Sequence, residues 1–196
     1  MAEGELGDRR RLDLLEAAYD LTAEKGLAGL RTRDVAARAK VNISTLHYYF
    51  GTKQELLTAL VNFACAKFEP SGAEKHPAWV KSALAAQFAD SWAAFEKTPH
   101  LEIVLEELSV HSRQDAQARA AFREVYEAWN AGVEELLRVE AGAGRLRSEL
   151  EPRLGAFIVT SFIIGASVQL RVAPRAFDYV SAALELERWA SSAAKK

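Results

Sequence analysis

Residues 32–50, TRDVAARAKVNISTLHYYF, constrain this chain more than any other stretch, because they read as two short helices joined by a tight turn. Thr32 is placed to cap the first helix, on which Val35, Ala36 and Ala39 recur at helical spacing and give one apolar face. Lys40 and Val41 interrupt that pattern. Asn42 then offers a side-chain oxygen to the unpaired N–H groups of a second helix that begins at Ile43. On the second helix Leu46 and Phe50, four apart, face inward with Val41, which leaves Ile43, Ser44, Thr45, His47, Tyr48 and Tyr49 pointing outward or sideways. Two short helices joined in this way describe a helix-turn-helix, whose second helix has the right width to enter a DNA major groove.

The rest of the chain is punctuated as helices. Asp8 can cap a helix through Lys25 with Leu14, Leu15, Ala18 and Leu21 as its buried stripe, and Gly26 stops it. Arg9, Arg10 and Arg11 at its start are either a solvated basic end or phosphate contacts. Thr52 and Glu55 have the spacing of a capping box and open a fourth helix through about Phe68. A Pro70-Ser71-Gly72 break follows, then helices from Pro77 to Lys97, Pro99 to His111, Asp115 to Glu140, Pro152 to Arg171 and Arg175 to Ser192. No β-hairpin signal and no repeat interrupts them, so the expected fold is all-α: an N-terminal three-helix DNA-binding domain at 1–51 and a helical domain at 52–196.

Composition narrows the partners. The net charge of −2 and a pI of about 6.1 do not announce a nucleic-acid binder. Charge is local instead, since between residues 31 and 53 Arg31, Arg33, Arg38, Lys40 and Lys53 meet only Asp34. Cys65 is the single cysteine, so neither an intrachain disulfide nor a cysteine-rich metal site is available, and a reducing compartment fits. The start, MAEGELGDRRR, has no apolar core of the secretory kind, which leads to a cytoplasmic expectation. The longest apolar run, Phe157 to Leu170, contains Thr160, Ser161, Ser167 and Gln169 and falls short of the roughly 18 consecutive apolar residues of a membrane span; it reads as a buried helix.

The run from Gly26 to Leu56 resembles the DNA-binding domain of TetR-family transcriptional regulators. Thr32-Arg33-Asp34-Val35-Ala36, the Val41-Asn42 turn, Thr45-Leu46-His47-Tyr48-Tyr49-Phe50 and Thr52-Lys53-Gln54-Glu55-Leu56 carry the resemblance. It implies a homodimer on a palindromic double-stranded operator, a small-molecule effector in the second domain, and no cofactor or metal. It implies phosphate contacts from Thr32, Tyr48, Tyr49 and Lys53, and a base contact from Arg33, for which a phosphate contact or a surface salt bridge is the alternative; Ile43, Ser44 and Thr45 occupy the first turn of the recognition helix, where side chains meet base edges. The family usually has tyrosine where this chain has His47, so that contact differs here; a protonated imidazole beside a phosphate would add a pH-dependent attraction.

In the second domain Phe88, Trp92 and Phe95 line one helix, and Phe122, Tyr126 and Trp129 line another at i, i+4, i+7 spacing. Such stripes serve a core or a small-molecule cavity equally well. With Phe162, and with Glu106 and Gln169 as polar groups on largely apolar helices, they are the candidate effector site; Glu102 and His111 belong to the same polar set. The resemblance implies an apolar or amphipathic effector, and the last two helices are where the family pairs with its copy. Catalysis finds no support: there is no Gly-x-Ser-x-Gly, His-Glu-x-x-His or phosphate loop, and the four histidines are scattered. Glu107 sits four before His111, a spacing that predicts a surface ion pair. The rival reading is a helical ligand-binding protein whose motif no longer meets DNA.

Overall fold

The computed structural model describes residues 3–67, 76–98 and 100–191. Nine helices occur among them: α1 (Glu3–Gly29), α2 (Thr32–Arg38), α3 (Ile43–Tyr49), α4 (Lys53–Ala66), α5 (Ala83–Lys97), α6 (Leu101–Ser112), α7 (Ala116–Gly142), α8 (Pro152–Val172) and α9 (Tyr179–Ala190). The all-α expectation holds among the described residues. Phe68, the Pro70-Ser71-Gly72 break and Pro99 lie outside them.

Packing separates two compact units, Met1–Phe68 with Thr98–Val125 and Glu69–Lys97 with Tyr126–Lys196. The first therefore takes in α4, α6 and the start of α7 as well as the three helices of 1–51. Its core is built on α1, which packs against α2, α4 and α6. Leu14, Leu15, Ala18 and Leu21 are buried as their spacing predicts, and so are Leu56, Leu60 and Val61 of α4 and Leu101, Val104 and Leu108 of α6. In the second unit α5 packs on α8 and α9. Phe88, Leu137, Val159, Ile163 and Ala183 are among its buried side chains, and Gly155 lets α8 approach α7, since a Cβ there would lie 2.9 Å from Leu137 Cδ1.

Several helix starts differ from the sequence reading. α1 begins at Glu3, so Asp8 lies inside the helix rather than at its cap; its regular geometry does break at Gly26, where φ is 67° and ψ 168°. Thr32 is the first residue of α2, because extended Arg31 occupies the cap position and makes no side-chain cap bond. α5 starts at Ala83 and not near Pro77; Ser82 Oγ accepts from Ala85 N–H at 3.0 Å there and donates to the Glu187 carboxylate. α9 starts at Tyr179 and not Arg175, because Asp178 accepts from Ser181 N–H at 2.8 Å. At α5 and α9 a side-chain oxygen that satisfies an orphan N–H marks the start.

α8 is not the buried helix its composition suggested. By length and apolar content alone it would pass for a membrane span, yet only 39% of its most apolar stretch is buried. Leu154, Phe157, Ile158, Val168 and Val172 are exposed along it. Leu154, Phe157, Ile158, Ser161 and Phe162 line an apolar surface groove with Leu186 of α9.

Candidate nucleic-acid interface

Local chemistry builds α3. Asn42 is extended (φ −80°, ψ 160°), and its Oδ1 accepts from Thr45 N–H at 2.8 Å, from Thr45 Oγ1 at 2.8 Å and from Ser44 Oγ at 2.6 Å. The preceding turn depends on Lys40, whose φ of 56° lies in the left-handed region that non-glycine residues enter at a cost of about 1 kcal/mol. Val41 N–H then donates to Ala36 carbonyl at 2.9 Å, which returns the chain toward α2. Leu46 and Phe50 are buried with Val35 and Ala36, so the pair of helices has one apolar seam.

What remains of α3 faces outward. Ile43, Ser44, His47 and Tyr48 are exposed and Thr45 and Tyr49 half-buried, with Tyr48 at 81% the most open large hydrophobic side chain described. Tyr48 and Tyr49 meet edge to face, ring centroids 5.1 Å apart, which limits the freedom of both rings. Arg33 is exposed on α2 and Thr32 half-buried beside it. The N-terminus of α4 completes the surface: Thr52 Oγ1 accepts from Glu55 N–H at 3.1 Å, and Glu55 reaches back to Gly51 N–H, also at 3.1 Å.

The basic patch is smaller than counting suggested. Arg38 is held in a two-pronged pair by Glu24 at 2.9 and 2.8 Å, and that hydrogen bond from the guanidinium keeps the Glu24 carboxyl below the usual carboxylate range. Lys25 lies 3.6 Å from Asp34. Lys53 Nζ donates to Leu30 carbonyl at 2.7 Å, although a lysine keeps two further N–H donors for a phosphate. Arg11 lies over the Phe50 ring, 5.4 Å from its centroid. Glu24 falls outside the window in which the charges were counted.

The candidate effector residues are less gathered. Within the second unit Trp92 stacks on Tyr179 with centroids 4.3 Å apart, Phe162 lies 5.7 Å from the same ring, and Phe88 meets Phe162 edge-on at 5.6 Å. Tyr179 donates its hydroxyl to Phe88 carbonyl at 3.2 Å, and burial raises its phenol well above the ordinary value. Tyr179 is thus the centre of an aromatic cluster that helix spacing did not reveal, because it stands on α9. Phe95 and Trp129 are half-buried, and Tyr126 is exposed. Gln169 is exposed in this unit and Glu106 is exposed in the first, so neither polar group points into an apolar interior of its own unit. The expected Glu107–His111 pair is not formed as such: Glu107 accepts from Leu27 N–H at 2.7 Å, and His111 Nε2 lies 3.3 Å from Asp115 Oδ2. Asp115 Oδ1 already caps α7 by accepting from Gln117 and Ala118 N–H.

Residues 14–60, which span α1 to α4, match the model of "Bacterial regulatory proteins, tetR family". This stretch carries the DNA-binding region of the TetR family. The chain is 47% identical over 49 residues to the HTH-type transcriptional repressor Rv3405c of Mycobacterium tuberculosis, a match covering 25% of this chain and 26% of that protein. It is 29% identical over 119 residues to the HTH-type transcriptional repressor NicS of Pseudomonas putida, covering 58% of this chain and 56% of the relative. The matched stretch is therefore about a quarter of the first relative's length and about half of the second's. A transcriptional regulator of Saccharomonospora viridis, solved in complex with choline, has the same fold: TM-score 0.73, 19% identity, 95% of this chain and 100% of that one covered. The relatives that this chain resembles are HTH-type transcriptional regulators and not enzymes.

Proposed function

We propose that the chain is a ligand-responsive repressor that sits as a homodimer on a palindromic operator in the cytoplasm and leaves when a small apolar or amphipathic molecule binds. The single observation that carries this reading is α3: Leu46 is buried beneath it while Ile43, Ser44, His47 and Tyr48 stand in solvent on a helix only seven residues long. A short helix that exposes its side chains above a firm apolar seam suits insertion into a groove. Residues 1–51 act as the DNA-binding domain and 52–196 as the effector and dimerisation domain. Arg33, Ile43, Ser44 and Thr45 meet base edges, and Thr32, Tyr48, Tyr49, His47 and Lys53 meet phosphates.

Dimerisation falls to α8 and α9. Leu154, Phe157 and Ile158 are exposed on a helix otherwise apolar enough for an interior, and a second copy is the partner that covers the same patch on both sides. The effector enters among Phe88, Trp92, Phe95, Tyr126, Trp129 and Phe162, where stacked rings suit an apolar body or an organic cation such as the choline of the Saccharomonospora protein. Release is a population shift: the ligand prefers the conformation whose two recognition helices no longer match the operator.

Selection from a random-sequence duplex library tests the reading. The expected result is enrichment of one inverted repeat that wild-type protein binds far more tightly than a scrambled duplex at physiological salt. Equal, steeply salt-dependent binding to every sequence, or no binding at low salt, contradicts it.

A further inference from the structure

The joint between α1 and α2 is gripped from two sides. At Gly26 the backbone takes a conformation essentially reserved for glycine, and the next residue, Leu27, donates its N–H to Glu107 Oε2 at 2.7 Å across 80 residues of sequence. Glu107 lies so close to the break that a Cβ on Gly26 would stand 3.3 Å from the same oxygen. Three residues on, Leu30 N–H bonds back to Leu27 carbonyl at 3.2 Å, and Leu30 carbonyl accepts from Lys53 Nζ at 2.7 Å. Leu27 and Leu30 are both buried, so this short segment is pinned by its side chains and by a charged group at each end. α2 starts at Thr32, immediately beyond it, and α3 follows.

We propose that Glu107 is a positioning residue for DNA recognition. Its carboxylate on α6 and the Lys53 ammonium on α4 form a clamp on residues 26–31 that sets the angle at which α2 and α3 leave α1. A bond from a backbone N–H to an ionised carboxylate is stronger than a neutral one, and here its donor sits where the helical ladder is interrupted. This inference rests on the DNA-binding reading above.

The test uses full-length protein and the duplex that wild type selects from the random library, with Glu107→Ala and Glu107→Gln compared at a temperature where circular dichroism shows both folded. Glu107→Ala should bind the selected duplex about tenfold more weakly while keeping its affinity for scrambled duplex, and its Leu27 amide should exchange with solvent faster. Glu107→Gln, whose amide oxygen can still accept from Leu27, should recover most of the affinity and the protection. Unchanged affinity in Glu107→Ala alongside a freely exchanging Leu27 amide overturns the proposal. So does an equal loss in both variants on specific and scrambled duplex, tracking their melting temperatures, which marks a structural role only. Wild type that enriches no sequence defeats the regulatory reading itself, and the clamp's role in recognition with it.

Discussion

α3 and α8 both present surfaces that a single protomer leaves open, yet the two are made of different chemistry. α3 shows hydroxyls, an imidazole and phenols above a buried leucine; α8 shows Leu154, Phe157, Ile158, Val168 and Val172, with Arg153, Ser161 and Gln169 as the polar side chains exposed among them. Each such apolar side chain gains roughly 1.5–3 kcal/mol when covered, so the α8 face favours a dry, extensive partner. The α3 face gains little from burial alone and depends on hydrogen bonds and charge, which weaken with salt. On the proposed reading, one face meets a second protein surface and the other a wet, anionic one.

Substitutions that separate packing from recognition sharpen this contrast. The largest effect belongs to Leu46→Ala, which removes a wholly buried side chain and should cost about 2–5 kcal/mol by chemical denaturation. Tyr48→Ala, on the same helix but 81% exposed, should leave stability within about 0.5 kcal/mol while weakening operator binding. Equal stability losses would erase the distinction between the two sides of α3.

Next comes Phe157→Glu, which places a charge on the open face of α8. It should sediment as a monomer at micromolar concentration and lose about a hundredfold or more in operator affinity, because two linked sites bind far better than one. A folded, dimeric Phe157→Glu variant would move the interface elsewhere. Asn42→Ala should lower stability by about 1 kcal/mol, the value of a lost cap, and a melt indistinguishable from wild type would show that Ser44 and Thr45 hold the turn without it.

The smallest effect is titratable. Backbone N–H groups of Arg153 and Leu154 donate to the Glu151 carboxylate at the start of α8 and hold its pKa below the ordinary 4.5. Because the folded value is the lower one, this contribution is full above the unfolded carboxylate value and disappears as pH falls through the folded one. The melting temperatures of wild type and Glu151→Gln should differ at neutral pH and converge in acid; a gap that stays constant with pH would remove the capping role.

Sequence was most informative where the chemistry is local. Asn42 and Thr52 lie within three residues of the N–H groups they satisfy, so spacing alone identified both caps. Thr32 was misplaced by one residue because extended Arg31 takes the cap position without a side-chain bond, a choice made by the turn and not by propensity. Lys53 and Glu107 were illegible for a different reason: their partners stand 23 and 80 residues away, and the i, i+4 relation of Glu107 to His111 pointed to the wrong neighbour. The aromatic stripes were ambiguous in principle, since core and cavity share helical spacing, and Tyr179 on a distant helix decides how Trp92 and Phe162 are used. The apolar content of α8 was legible, but its division between buried and open faces depends on what the neighbouring helices cover.

In the proposed dimer two copies of α3, joined through α8 and α9, read one inverted repeat. Fluorescence anisotropy on the selected duplex, with about 5 base pairs inserted between its half-sites, tests this most directly, since half a helical turn puts the second half-site on the opposite face. The predicted result is a fall to the affinity of a single half-site. Affinity unchanged by the insertion would contradict the claim.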